Sequence, residues 1–203
     1  MDIHQVLTSA LKKRDIFHSE ADFQHHLAWE IHCSSGDSSD IRLEFPLSKS
    51  ESNRWEYCDI LIRKPSPIGI ELKYKTKRSK VEVNNEVFEL KQQGAQDLGR
   101  YDFLKDINRL EFWCKQNQIS RGYAILLTND SSYWSAPVQL NTVDKAFRLH
   151  HNEVGGQLKW DAAASKGTTK GRERSIELHG HYSLKWFDSP RIGFKYLLVK
   201  VEC

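Results

Sequence analysis

No run of about 18 apolar residues, the length a helix needs to cross a bilayer, occurs in the sequence, so no membrane span is expected. The opening stretch MDIHQVLTSALKKRD contains acidic residues and lacks an apolar signal core, so secretion is not expected either. Cysteine is sparse: Cys33, Cys58, Cys114 and Cys203 lie far apart with no CxxC spacing. That excludes a recognisable zinc motif and reads as reduced, mostly buried thiols of a cytoplasmic protein. The histidines form no HExxH or HNH arrangement. No internal repeat and no clear linker divides the chain. Neither sign of charge dominates: the net charge is +3, which is compatible with a nucleic-acid partner without demanding one.

What is present suits one globular domain over residues 1–203. The chain is 39% hydrophobic and 28% charged, enough apolar content for a real core. Ile3, Val6, Leu7, Ala10 and Leu11 have helical spacing. Ser19 then reads as the N-cap of a second helix, with Asp22 as its capping-box partner and Phe23, Leu27, Ala28 and Ile31 on one face. The run SSGDSS, Ser34 to Ser39, is expected to stop it. Ile41, Leu43 and Phe45 alternate with charged residues, predicting a half-buried strand. Residues 55–63 and 68–75 predict two more, and Lys80–Leu90 a small hairpin turning at Asn84-Asn85. Gly94–Asn117 carries a long helical stripe through Leu98, Tyr101, Leu104, Ile107, Leu110 and Cys114. The short apolar run Tyr123–Leu127 reads as a buried strand. Strand, helix, buried strand predicts a parallel crossover. Beyond Asn129 the expectations are a helix over Val138–Leu149, a basic loop at KGTTKGRER (Lys166–Arg174), and late strands over Ser175–Phe187 and Phe194–Val201.

The charged residues inside the second and third strands carry the functional argument. If these strands pair about a bend at Pro65, opposed residue numbers sum to 130 and Asp59 faces Glu71. Opposed β positions bring Cβ atoms to about 5 Å. Two carboxylates so placed repel unless a cation lies between them, and a hard divalent ion takes oxygen ligands of this kind. Lys73, two residues on, points to the same face as Glu71. Such a metal and ammonium group can polarise a phosphoryl oxygen and activate water. The alternative is a structural ion pair in which Lys73 neutralises Glu71 or Asp59.

The order helix, three strands, helix, strand, with Asp59 followed by Glu71-Leu72-Lys73, resembles the PD-(D/E)XK nuclease superfamily. Cys58 stands where the motif's name has Pro. The resemblance covers residues 19–129 and is silent on 130–203. It implies an α/β fold with an αβββαβ restriction-endonuclease-like core and a mixed central sheet flanked by helices; the helix, loop and strands expected beyond Asn129 add a C-terminal α+β extension over 130–203. It implies a Mg²⁺-dependent deoxyribonuclease, with Mn²⁺ as a possible substitute, acting as an endonuclease of restriction, repair or phage-defence type. Asp59, Glu71, Lys73, Glu20 and Gln96 are then catalytic, with Asp59, Glu71 and Glu20 holding the metal. Glu20 resembles the acid that such enzymes add from the first core helix; its other reading is a charge complementing the helix dipole. Gln96 resembles a Gln that some branches carry on the second helix, with Gln93 as rival, although the spacing to Tyr101 does not match QxxxY. Asp102, Lys105, Asp106 and Arg109 have the spacing of helix-surface pairs, with a DNA-facing use open to Lys105 and Arg109.

DNA is the implied partner, and Lys75, Lys77, Arg78 and Lys80 in KYKTKRSK are the nearest candidates for phosphate contacts. A homodimer or a partner protein is also compatible with the chain. The competing functional reading is a non-catalytic nucleic-acid-binding or protein-interaction module built on a nuclease-like fold.

Overall fold

Asp2 caps the first helix, α1 (Ile3–Lys13), its carboxylate accepting from the His4 and Gln5 amides. Ser19 caps α2 (Glu20–Ser35): its Oγ accepts from the Asp22 amide at 3.1 Å, as the sequence predicts. The computed structural model describes residues 1–35, 40–50, 53–150 and 153–203. The expected stop at Ser34–Ser39 therefore falls partly outside the described residues.

Three strands follow, β1 (Ile41–Lys49), β2 (Trp55–Ile62) and β3 (Ile68–Lys75). A separate hairpin, β4 (Ser79–Val83) and β5 (Glu86–Leu90), turns at Asn84-Asn85. Both residues have positive φ, 52° and 66°, a conformation asparagine tolerates. The long helix α3 (Gln96–Lys115) leads to β6 (Arg121–Thr128), which pairs parallel with β3 along its whole length. The last third supplies β7 (Glu153–Leu158), a one-turn α4 (Lys166–Thr169), β8 (Ile176–Ser183), β9 (Trp186–Asp188) and β10 (Lys195–Glu202).

The result is a mixed α/β fold around a mixed six-stranded sheet in the order β1-β2-β3-β6-β10-β9. The two apolar cores lie on its opposite faces. One joins α1 and α2 to Ile60, Ile62, Ile70, Leu72 and Ile125; the other joins α3 and the β7–β8 hairpin to Ala124, Leu126, Leu197 and Val199. β10 lies beside β6, so the C-terminal residues complete the central sheet.

Four expectations need correction. Val138–Leu149 forms only a single 3₁₀ turn, Lys145–Phe147. Val138 and Leu140 are exposed and give a helix no apolar face to bury, while Asp144 is held by Arg100 and Arg148. The basic run Lys166–Arg174 begins as α4, capped by Ser165, rather than as loop. β1 is an edge strand in which Ile41 and Phe45 are partly buried, as expected, but Leu43 is exposed rather than on the buried face. Finally, Cys114 and Cys203 are joined in a disulfide, their Cα atoms 4.9 Å apart. Two residues 89 positions apart in sequence carry no local pairing signal, so spacing could not reveal the bond. Of the remaining cysteines, Cys58 is buried and Cys33 exposed.

Candidate active site

The β2–β3 hairpin has the register the sequence predicts: Ile62 opposes Ile68, Leu61 opposes Gly69 and Ile60 opposes Ile70. Pairing then stops. Asp59 and Glu71 are not ladder partners, because β2 turns away from β3 at Asp59. On the other side of β2, the β1 ladder also skips a position there. Glu44, which lies between the paired Leu43 and Phe45, has φ 48°, in the left-handed region.

The parting leaves β3 with backbone groups that β2 no longer satisfies, and buried amides of this kind require partners. Carboxylates supply them. Asp59 Oδ2 accepts from the Leu72 amide at 2.6 Å, and Glu20 Oε2, from the first turn of α2, accepts from the Tyr74 amide at 2.7 Å. Lys73 Nζ donates to the Leu72 carbonyl at 2.9 Å. Gln24, one turn beyond Glu20, donates to the Asp59 carbonyl at 2.6 Å and to Glu44 at 2.7 Å. The charges that interrupt two apolar strands therefore replace part of a broken ladder. Cys58 is buried at the fork, its Sγ directed at the Ile60 and Ile70 carbonyls, and burial pushes its thiol up.

The other half of the cluster comes from α3. Gly69 and Gly122 are paired neighbours on β3 and β6, and a Cβ at Gly122 would lie 3.0 Å from Leu110 Cβ. Two side-chain-free positions thus let α3 settle close to the sheet. Asp106 and Arg109 are thereby carried onto β3. Lys73 Nζ pairs with Asp106 at 2.7 Å, while Arg109 bridges Glu71 and Asp106. The Glu71 side chain is fully buried; one oxygen takes Arg109 and the other, Oε1, has no hydrogen-bond partner.

Four carboxylates (Glu20, Asp59, Glu71 and Asp106) thus face two cations, Lys73 and Arg109. The imbalance shows in their protonation. Burial raises Asp59 to about 6; Lys73 and the Leu72 amide oppose the rise, while Asp106 and Glu20 add to it. Burial likewise raises Glu71, against the pull of Arg109. Burial draws the Lys73 ammonium down, but Asp106, Glu20 and Asp59 together outweigh it and leave its pKa above the ordinary lysine value. Lys73 is accordingly charged at neutral pH.

Among the described residues, no three His, Cys, Asp or Glu side chains converge as a ready-made metal cage. What the cluster offers is a hard, all-oxygen donor pair, Asp59 and Glu71, with an excess of negative charge and one buried carboxylate oxygen lacking a partner. Magnesium, which usually keeps several waters and takes one or two carboxylates, is the ion that donor set fits.

The structure therefore gathers Asp59, Glu71, Lys73 and Glu20 along the open edge of β3. Gln96 lies elsewhere: it opens α3 and donates to Asp130 at 2.8 Å, about 15 Å along the helix from Asp106 at the standard rise. The rival Gln93 pairs with Thr76. Asp59 and Lys73 line a large cleft of about 1650 Å³, and Lys75, Lys77, Arg78 and Lys80 are not among its lining residues. Lys75 ends β3 opposite Thr128; the amides of Lys77 and Arg78 bond Asn129 and Gln92, and Lys80 pairs with Glu89 at 3.0 Å. The basic groups that do line the cleft include Lys49, Arg54, Lys105 and Lys115. Sequence reasoning missed Asp106 as a site residue and placed Arg109 on the helix surface. Their i,i+3 pairing is real at 3.0 Å, but it is turned inward. The available signal was the helical stripe itself: Asp106 and Arg109 flank Ile107 and Leu110, two fully buried positions.

The chain matches no family model, no curated protein and no solved structure. The functional reading consequently rests on the cluster's own chemistry.

Proposed function

We propose that the protein is a metal-dependent nuclease that hydrolyses DNA phosphodiester bonds, built on the plan of the PD-(D/E)XK superfamily. In this reading it acts in the cytoplasm as an endonuclease of restriction, repair or phage-defence type. One observation carries it: at the point where β2 leaves β3, Asp59, Glu71 and Lys73 meet with a surplus of carboxylates, beside an open cleft. Asp59 and Glu71 are the residues that hold Mg²⁺ or Mn²⁺. When bound, the ion supplies Lewis-acid polarisation of a phosphoryl oxygen and a water of lowered pKa. Lys73, kept as an ammonium by its acidic neighbours, orients the scissile phosphate and offsets the charge that develops on it. A group held protonated in this way does not take the proton from water. Glu20 holds β3 in place and adds to the negative field.

The test is incubation of linear, circular and single-stranded DNA, and of RNA, with Mg²⁺ or Mn²⁺. Metal-dependent strand cleavage is expected, abolished by chelator and lowered about 100-fold or more in Asp59→Ala and Lys73→Ala proteins that still fold. Cleavage indifferent to chelator overturns the metal assignment.

A second reading is favoured by a specific feature: every charged group of the cluster already has a protein partner. Asp59 and Glu20 hold backbone amides, Glu71 holds Arg109, and Lys73 holds Asp106. In that reading the cluster is structural and the chain is a nucleic-acid-binding or protein-interaction module. DNA bound without any cleavage, under both metals, selects it.

A further inference from the structure

Three large aromatic side chains line the cleft with much of their surface in water: Trp55 is 51% exposed, Tyr57 45% and Phe112 43%. Trp55 and Tyr57 occupy alternate positions on β2, so their rings share one face of the strand. Both belong to the part of β2 that pairs with β1 alone, with Trp55 opposite Lys49 and Tyr57 opposite Pro46. The parting of β2 from β3 that creates the charged cluster also leaves this two-stranded arm standing beside the cleft.

Cations accompany the rings. Lys49 Nζ sits 5.1 Å from the centroid of Trp55, and Arg54 is its chain neighbour. Lys105 and Lys115 line the cleft from α3, which also carries Phe112. Arg54, Lys105 and Lys115 make no ion pair with any described residue. Several cleft acids, by contrast, are bound by protein donors. Asp102 takes Arg172; Glu111 takes the His179 and Gly180 amides and the Tyr182 hydroxyl; Glu202 takes Lys200 and Arg121. Glu44, Glu56, Glu173 and Glu177 also line the cleft, so its walls carry both signs, with Arg54, Lys105 and Lys115 interleaved with open aromatic faces.

Aromatic faces combined with backbone-tracking cations suit a strand whose bases are unpaired. A duplex keeps its base faces stacked inside, whereas a single strand offers each one to a protein ring. We propose that the cleft takes single-stranded DNA, with bases stacking on Trp55 and Tyr57 and phosphates lying against Arg54, Lys105 and Lys115. The choice of DNA rests on the phosphodiesterase reading above; the preference for an unpaired strand rests on the aromatic arm alone.

The experiment is equilibrium binding in chelator, so that no cleavage intervenes, using a labelled oligonucleotide of about 15 nucleotides and the same sequence as a duplex. The single strand is expected to bind at least about 10-fold more tightly and to quench tryptophan emission. A Trp55→Ala/Tyr57→Ala protein, checked for fold by circular dichroism, loses about 10-fold or more of single-strand affinity, and Trp55→Phe retains most of it. Duplex bound as tightly as the single strand, or a double variant with unchanged affinity, overturns the inference. Single strand bound in chelator yet uncut with Mg²⁺ leaves this inference standing and defeats the nuclease reading. Duplex cut while the single strand is neither bound nor cut does the reverse.

Discussion

Asp59 holds the most informative charge in the cluster. Its carboxyl titrates near 6 in the folded chain, raised by burial, against about 3.9 in an unfolded one. A carboxyl whose folded pKa lies above its unfolded value is one that folding prefers protonated. The stability it contributes is full below about pH 4 and is lost as pH rises through 6. Above that range the ionised form costs on the order of 1–3 kcal/mol. Asn in its place mimics the neutral acid. In the absence of divalent ions, Asp59→Asn is therefore expected to equal the wild type near pH 4 and to exceed it in stability by roughly 1–3 kcal/mol at pH 8. Urea denaturation at the two pH values measures this, and a variant less stable at pH 8 contradicts it. Asp59, Glu71 and Lys73 were all legible in the sequence, because charge inside an apolar strand is conspicuous. Asp106 and Arg109 were not: on a helix the same residue types usually mark the wet face, and only the docking of α3 turns them inward.

At the scale of elements, the site is a strand edge that has lost its partner. β3 is paired on one side with β6 throughout, and on the other with β2 only as far as Ile70. The next two amides on that open side, Leu72 and Tyr74, are capped by side chains from two different elements, β2 and α2. An edge capped this way opens by side-chain release rather than by strand separation. Glu20→Ala is accordingly expected to speed amide exchange at Tyr74 by about 10-fold, the equivalent of a hydrogen bond near 1.4 kcal/mol, while Ile70 stays protected. Hydrogen-exchange measurement on the two proteins decides it; unchanged protection at Tyr74 removes Glu20 from the edge. The hairpin's register was readable because the bend at Pro65 and the alternation of the strands agree on it. Where the ladder ends was not readable. Periodicity states which residues suit a strand, but not where a neighbouring helix such as α2 inserts its own carboxylate. β7 was missed for a related reason: Gly155 and Gly156 weaken its strand signal, and pairing with β8 supplies what propensity does not.

Across the whole molecule, contacts between distant segments close the structure. β10 pairs with β6 in the middle of the central sheet, and the bond from Cys203 to Cys114 ties the residue after β10 to the final turn of α3. That helix carries Asp106 and Arg109 into the cluster and Phe112 to the cleft, so a contact between distant parts of the sequence fixes the wall on which the site depends. Closing a loop of this length removes up to about 4–5 kcal/mol of unfolded-chain entropy in the simplest treatment, and less where the reduced chain keeps residual structure. Denaturing alkylation without reductant is thus expected to modify two of the four cysteines, Cys33 and Cys58, and to modify all four after reduction. Cys203→Ser should then fall in stability by a few kcal/mol, and the wild type should approach it when reductant is present. Four reactive thiols in the unreduced protein would show that α3 is held by packing alone. Leu110 against Gly69 and Gly122 would then be the contact that keeps Arg109 beside Glu71.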